Sequence, residues 1–463
     1  MTKKTISILM AILLVIGAFA FAFDLSSNTV FNQQLINEIN NYNSAHNLPW
    51  KAALNPAFKG KTLSELKILN GWRRLPLKMR QEIITAFKTK NLTTRDNAFM
   101  SYFTLFDPTT MDDTSLPSDF DLRNVGGVTP IKDQGWHGTC WAFSTAETME
   151  SAMLVQLGSS ISTLYPFFGA TPIVSTQYIA YHDIDWNLAA LSGWWNIQDS
   201  NYDAGGSQYF SFYNATRYGL PPATDFPYNA YENSPWISWD PQTPDWTEHL
   251  ARPSGALLLL GAKAEKEYFG VTYEQYINAI KTMIKKYGSV SVAFSVPADF
   301  FAYNGGIYVP ATPITYEGGH AVQIVGWKDN VTANGVTYPT VWIVRNSWGT
   351  TWGVNGYWEQ PAVTPQEYAS GNVPAWKFAA PWNWFYVPIF TPQPSNWEEA
   401  DFNGDGTVNM TDYDMLMNAL NETNPSSATI AKFDIGIPKD HRIDGNDVAE
   451  FMYLWNKAAA AGH

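Results

Sequence analysis

The chain has 463 residues, 45% of them apolar, and a formal net charge of −13 at pH 7. That length allows two or three domains and a large core, and the acidic balance excludes nucleic acid as a partner. Cys140 is the only cysteine, so no internal disulfide can form.

Residues 1–22 read as a signal peptide. Lys3 and Lys4 give a basic start, an apolar run follows, and Ala20-Phe21-Ala22 fits an A-x-A cleavage site. The alternative is an uncleaved anchor, but the run is near the lower limit for a span of about 20 residues. No other stretch is long and apolar enough to cross a bilayer. The mature chain is therefore expected to be secreted, extracellular or held at the cell surface, with no membrane contact after cleavage. A lone cysteine in such a place points to intermolecular pairing or a reactive thiol. A buried, inert cysteine is the plain alternative.

Residues 23–115 are polar and helical in pattern, with Leu35, Ile36, Ile39, Leu63, Leu66 and Leu69 at helix-like spacing. From 116 to 390 the chain turns rich in Gly, Pro, Trp and Tyr, with strand-like alternation in "VSVAFSV" from Val290. "TPQPSN", 391–396, reads as a short stiff linker, which predicts independent cores on its two sides. Residues 397–463 form a small acidic unit with helical apolar patterns.

Ala142, Ala146, Met149 and Met153 share a helical face and Gly158 offers a stop, so a helix is predicted to begin near Cys140. A thiol at a helix N-terminus is favoured as thiolate by the macrodipole. It also needs an imidazole and a group to orient that imidazole. "GGHAVQIVGW" and "TVWIVRNSWG" read as two strands, and Asn334-Gly335 between them is a hairpin turn signal. Antiparallel pairing makes His320 and Asn346 neighbours. A carboxamide there can hold one ring nitrogen and leave the other to face the thiolate. The bland reading is a core histidine and an ordinary turn asparagine.

"QGWHGTCWAF", "GGHAVQIVGW" and "NSWGTTWGVNGYW" resemble, in order, the three blocks of the papain-like cysteine proteases. The resemblance implies an α+β, two-lobed fold, with a helical lobe headed by Cys140 and a β-rich lobe carrying His320 and Asn346. It implies Cys140 as nucleophile, His320 as proton donor and Asn346 as the ring's orienter. Gln134 would complete an oxyanion hole with the Cys140 N–H. Trp348 would shield the Asn–His hydrogen bond and border the substrate. Gly205 and Gly206 resemble the glycine pair that binds substrate backbone, and Ala293 falls where the family lines its S2 pocket. No cofactor is implied for catalysis. His137, Thr139 and Ala204 stand where the family has a disulfide cysteine, Ser or Ala, and a second cysteine. The interval from Cys140 to His320 exceeds the roughly 130–150 residues usual in the family, so inserted loops near 180–203 and 228–265 are expected. His137 and His182 are isolated and read as structural.

Trp50, Ala52, Asn55, Leu63, Leu66, Leu69 and Gly71 resemble the short propeptides of cathepsin B-like enzymes. That implies an inhibitory helical segment over 23–115, lying reversed through the cleft. "SLPSDFDLR" resembles the start of a mature domain, with cleavage a little before Leu116 and a peptidase domain over 116–390.

"DFNGDGTVNMTD", 401–412, fits an EF-hand loop in its first nine positions. Asp401, Asn403 and Asp405 take positions 1, 3 and 5, and Gly406 makes the turn. Thr407 offers its carbonyl. Asp412 replaces the usual Glu, which resembles a dockerin repeat and makes 397–463 a dockerin-like module. The oxygen donors favour calcium as a structural ion. A second, degenerate loop offers Asp434, Asp440 and Asp447. The resemblance implies a cohesin module as partner, with contacts at Met410 and Thr411; the alternative is a calcium clamp that docks within its own chain.

The reading is a secreted cysteine endopeptidase made as a zymogen, acting on protein or peptide substrates and carrying a calcium-binding dockerin-like module. The competing reading is a catalytically weak scaffold or adhesion protein that uses the cleft and the dockerin for binding.

Overall fold

The computed structural model describes residues 25–89, 102–110, 116–182, 205–228, 241–390, 397–435 and 442–461. The expected signal peptide, the 391–396 linker, Asp440 and most of the first inserted loop lie outside the described residues.

The strands in chain order are β1 (Trp50–Ala52), β2 (Phe103–Leu105), β3 (Asp119–Asp121), β4 (Gly255–Leu259) and β5 (Val290–Pro297). Then come β6 (Tyr303–Gly306), β7 (Tyr316–Ala333), β8 (Val336–Arg345), β9 (Tyr357–Pro361) and β10 (Phe385–Ile389). One sheet runs β2-β4-β10-β5-β7-β8-β9, with β3 also paired to β7, and β1 and β6 form a separate pair. The fold is α+β and two-lobed. The helix Cys140–Gln156 heads one lobe, and the β5–β7–β8 region forms the heart of the other.

That helix is buried along its whole length from Cys140 to Met153. A helix apolar or buried all round belongs in a core rather than on a surface. It is pinned to the β7–β8 hairpin. Ser144 Oγ donates to the Val322 carbonyl at 2.7 Å, and Gln323 Nε2 donates to the Ser144 carbonyl at 3.2 Å. Arg345 Nη2 donates to Glu147 Oε1 at 2.9 Å with both side chains buried. At the hairpin tip Asn334 and Gly335 have φ of 48° and 76°, as a type I′ turn requires. Pairing starts at Ala333↔Val336 and shifts by a bulge between Ile324 and Gly326.

The segment before residue 116 is helical only in part. Gln33–Ala45 is a helix capped by Asn32, whose Oδ1 accepts from the Leu35 N–H at 2.9 Å, and Leu35, Ile36 and Ile39 are its buried face. Thr62 and Glu65 form a capping box over the turn Leu63–Leu66. Beside the expected helices the segment also carries two short strands: β1, which pairs with β6, and β2, which joins the main sheet beside β4. Propensity alone did not reveal these strands, because their partners lie far along the chain.

The C-terminal module has its own core of Trp397, Phe402, Val408, Leu416, Phe433, Phe451 and Leu454. It is not independent of the rest, as the linker had suggested. Arg252 hydrogen-bonds Glu450 with both side chains largely buried. The Tyr165 hydroxyl bonds Tyr453 and donates to the Arg252 carbonyl at 3.1 Å.

Removing one partner of a buried ion pair leaves an uncompensated charge. Arg345→Met should therefore destabilise the full chain by about 3–5 kcal/mol, read from urea unfolding in a Cys140→Ala background. The double change Arg345→Met with Glu147→Met should recover most of that loss. Equal loss in the single and double variants would contradict the pairing.

Candidate active site

Cys140 is the first residue of its helix and has no exposed surface. Its Sγ accepts from the Ala321 N–H at 3.5 Å. The N–H groups of Gly71, Trp72 and Trp141 also favour the anion there. His320 sits on β7, and its Nε2 lies 2.7 Å from Asn346 Oδ1 just past the end of β8. That contact requires the proton on Nε2, since an amide oxygen only accepts. The other ring nitrogen, Nδ1, is buried without a hydrogen bond of ordinary geometry. Trp348 covers the pair, its ring centroid 4.7 Å from that of His320, and stacks on Phe301 at 5.1 Å.

Gln134 has no exposed surface. Its Nε2 donates to the carbonyls of His137 at 2.7 Å and Leu69 at 3.0 Å, while Oε1 accepts from Ser347 Oγ at 2.7 Å. Tyr228 Oη donates to the Gln134 carbonyl at 2.9 Å and lies 2.9 Å from Thr139 Oγ1. Ser347 thus fixes the carboxamide, and Tyr228 holds the Gln134 backbone. Neither contact is marked locally in the sequence, because Tyr228 and Ser347 reach Gln134 from 94 and 213 residues away.

The cleft is filled by the chain's own residues 69–73. Gly206 N–H donates to the Gly71 carbonyl at 2.9 Å, Arg73 N–H to the Gly206 carbonyl at 2.7 Å, and Trp72 N–H to the Gly319 carbonyl at 3.0 Å. Gly205 and Gly206 therefore pair with an extended backbone. Gly205 has φ +80°, and a Cβ on it would stand 2.0 Å from the Gly71 carbonyl oxygen. Gly71 is tighter still, since a Cβ there would lie 1.7 Å from the Gly138 oxygen. Ala293 is buried in one cluster with Cys140 and Ala321, and Trp72 packs against it.

Burial changes the charges. It pushes the Cys140 thiol up to about 11, against the surrounding N–H groups. It holds the His320 ring down to about 4, although the Asn346 contact and the Leu69 carbonyl favour the charged form. In this covered state the pair is a neutral thiol beside a neutral imidazole.

In the C-terminal module, Gly406 has φ +85° at the loop's sharp turn. Asp401 accepts from the N–H groups of Gly404, Asp405 and Gly406, and Asp405 from that of Thr407. Asn403 Oδ1 accepts from the Asp405 N–H. Asp412 is fully buried and accepts from the N–H groups of Asn403 and Asn409, both at 3.1 Å. Among the described residues no three His, Cys, Asp or Glu side chains already converge as a metal cluster. The donor set still fits a hard cation, with five oxygen-bearing residues around one turn. In the second loop Asp447 plays the part of Asp412, accepting from Ile435 at 2.8 Å and Asp444 at 2.7 Å. Asp434 is the buried C-cap of helix Ser427–Phe433. Met410 is exposed. His137 is largely buried, and the backbone of His182 ends the helix Thr176–His182.

Comparison with known proteins agrees with this architecture. A sequence model of the papain family cysteine protease matches residues 116–164 and 197–366, and that of the dockerin type I domain matches 389–421 and 399–452. A cathepsin L-like proteinase of Fasciola hepatica is 30% identical over 273 residues, covering 58% of this chain and 68% of the relative. Cathepsin B-like cysteine proteinase 4 of Caenorhabditis elegans is 28% identical over 253 residues, covering 53% of this chain and 71% of the relative. Among solved structures, the digestive procathepsin L2 proteinase of Tenebrio molitor larval midgut superposes with a TM-score of 0.50. It is 22% identical, with 77% of this chain and 89% of that one covered. The chain belongs to the papain family of cysteine proteases. It is a cysteine peptidase with a dockerin type I domain at its C-terminal end.

In the full-length chain the His320 ring should stay neutral down to pH about 4 by histidine NMR, and should titrate nearer 6.5 once the cleft is cleared. An unshifted His320 in the full-length chain would contradict the covered site.

Proposed function

We propose that the chain is a secreted endopeptidase zymogen in which Cys140, His320, Asn346 and Gln134 form the catalytic unit. The observation that carries this reading is the Leu69 carbonyl, a peptide carbonyl held by Gln134 and facing His320. With substrate in its place, His320 Nδ1 takes the Sγ proton as Sγ attacks the carbonyl carbon, and the oxyanion takes hydrogen bonds from Gln134 Nε2 and the Cys140 N–H. His320 passes that proton from Nδ1 to the leaving amine as the C–N bond breaks. Nδ1 then draws a proton from the water that attacks the thioester and returns it to Sγ as the C–S bond breaks. Asn346 keeps the ring in plane and Trp348 keeps water off the contact between them.

Residues 24–74 act as the inhibitor. The propeptide resemblance supports this, as do the backbone bonds of residues 71–73 to the cleft glycines. Its grip depends on pH through the two buried groups. His320 is near 4 when covered and about 6.5 when free, so the uncovered form gains a proton as pH falls through that window. The covered form is unpenalised above pH about 6.5 and is progressively disfavoured down to about 4. Cys140 acts in the other direction, disfavouring the covered form as pH rises from about 8.5 towards 11.

The C-terminal module binds calcium through Asp401, Asn403, Asp405, the Thr407 carbonyl and Asp412. The Arg252–Glu450 and Tyr165–Tyr453 contacts favour intrachain docking alongside any cohesin partner. The exposed Met410 leaves the first repeat available to such a partner.

Two outcomes are expected. Gly71→Ala should raise the peptide-hydrolysing activity of the unprocessed chain at least tenfold, because the Cβ cannot fit beneath Gly138. Activity equal to that of the unprocessed wild type would count against the inhibitory role, and absence of thiol-dependent hydrolysis in every processed form would defeat the peptidase reading. Asp401→Ala with Asp405→Ala should abolish the rise in melting temperature that calcium produces, since ion binding adds to folding stability. Calorimetric titration of the wild type without heat or thermal shift would refute the calcium site.

A further inference from the structure

The segment read as a removable prosegment contains a strand that the peptidase sheet needs. β2 pairs in parallel with β4, with Phe103 opposite Ala256, Thr104 opposite Leu257 and Leu105 opposite Leu258. The ladder continues with the Phe106 N–H, which donates to the Leu258 carbonyl at 2.8 Å. Tyr102 and Phe103 are buried. The Phe103 ring stacks on Tyr209 at 4.6 Å, and the Tyr102 ring meets Tyr213 edge-on at 5.1 Å. Both belong to one apolar cluster with Leu258, Phe212 and Tyr386.

The sequence of β4 makes the same point from the other side. It reads Gly-Ala-Leu-Leu-Leu, buried from Ala256 onward. Strands with two apolar faces belong inside a sheet. Edge strands are normally blunted by charge, proline or a bulge, and β4 has none of these. Its other neighbour is β10, so β2 is what keeps it from being an edge. The cleft segment 71–73 differs in kind: its backbone bonds go to the glycines of the substrate groove, which must be freed for turnover.

We propose that Tyr102–Phe106 is a permanent strand of the mature peptidase and is not shed with the inhibitory residues. Activation then divides the prosegment into a part that leaves, including Gly71–Arg73, and a part that stays. This replaces the expectation that everything up to Leu116 is lost. It rests on the inhibitory reading of residues 24–74 but not on the catalytic assignments.

The test uses the full-length Cys140→Ala chain, which cannot process itself. Limited digestion with subtilisin is followed by native gel filtration and denaturing mass measurement. Particles that have lost Gly71–Arg73 should still contain 102–106, joined to the peptidase or carried as a non-covalent fragment. Particles that begin after Thr110 with no such fragment would overturn the proposal. Hydrogen exchange on the undigested chain gives a second reading that needs no cleavage. The Phe106 amide should exchange as slowly as those of the β4–β10 ladder. Exchange at the rate of exposed amides would overturn the proposal equally. Failure of hydrolysis assays on the wild type would bear on the catalytic reading alone.

Discussion

The attachment of the Cys140 helix to the β7–β8 hairpin sets the geometry of everything else. The thiol and the imidazole come from distant parts of the chain. They meet because Ser144, Gln323, Glu147 and Arg345 bolt one side of the helix to the hairpin. Arg345 precedes Asn346 directly, so the buried ion pair also fixes where the carboxamide stands. Burying such a pair is not a cheap source of stability. Its value here is positional: the register of β8 against the helix cannot slip without stranding a charge.

A second constraint follows from that rigidity. A fixed cleft admits a backbone only where side chains are absent. Gly205, Gly206 and Gly319 on the wall and Gly71 on the incoming segment meet that demand. The covered site is a dry site, and dryness alone moves Cys140 and His320 away from their charged forms. When water returns, the desolvation cost falls and both groups move back towards their ordinary ranges. Occlusion and electrostatic silencing are one event.

Much of this was legible in the sequence, for identifiable reasons. The helix start at Cys140 and the tip of the hairpin are local signals, written in Ala/Met spacing and in Asn334-Gly335. They predicted that His320 and Asn346 would be neighbours, and the structure has them 2.7 Å apart. A bulge at Val325 shifts the pairing on the way to the site, a tertiary adjustment with no sequence mark. The repeat symmetry of the C-terminal module also surfaced, with Asp447 bonded as Asp412 is. What stayed hidden depended on distant partners. β2 is a strand only because β4 lies beside it, and Tyr228 reaches Gln134 from far along the chain. The docking of Glu450 on Arg252 joins two surfaces that composition treats as separate.

The central claim is that Cys140 is the nucleophile of a site held silent by its own prosegment. Labelling with a peptidyl epoxide at pH 6, followed by peptide mass mapping, tests it most directly. The account predicts a single adduct on Cys140 in the processed chain and almost none in the full-length chain. Equal labelling of the two forms, or a processed chain that takes up no label, would contradict it.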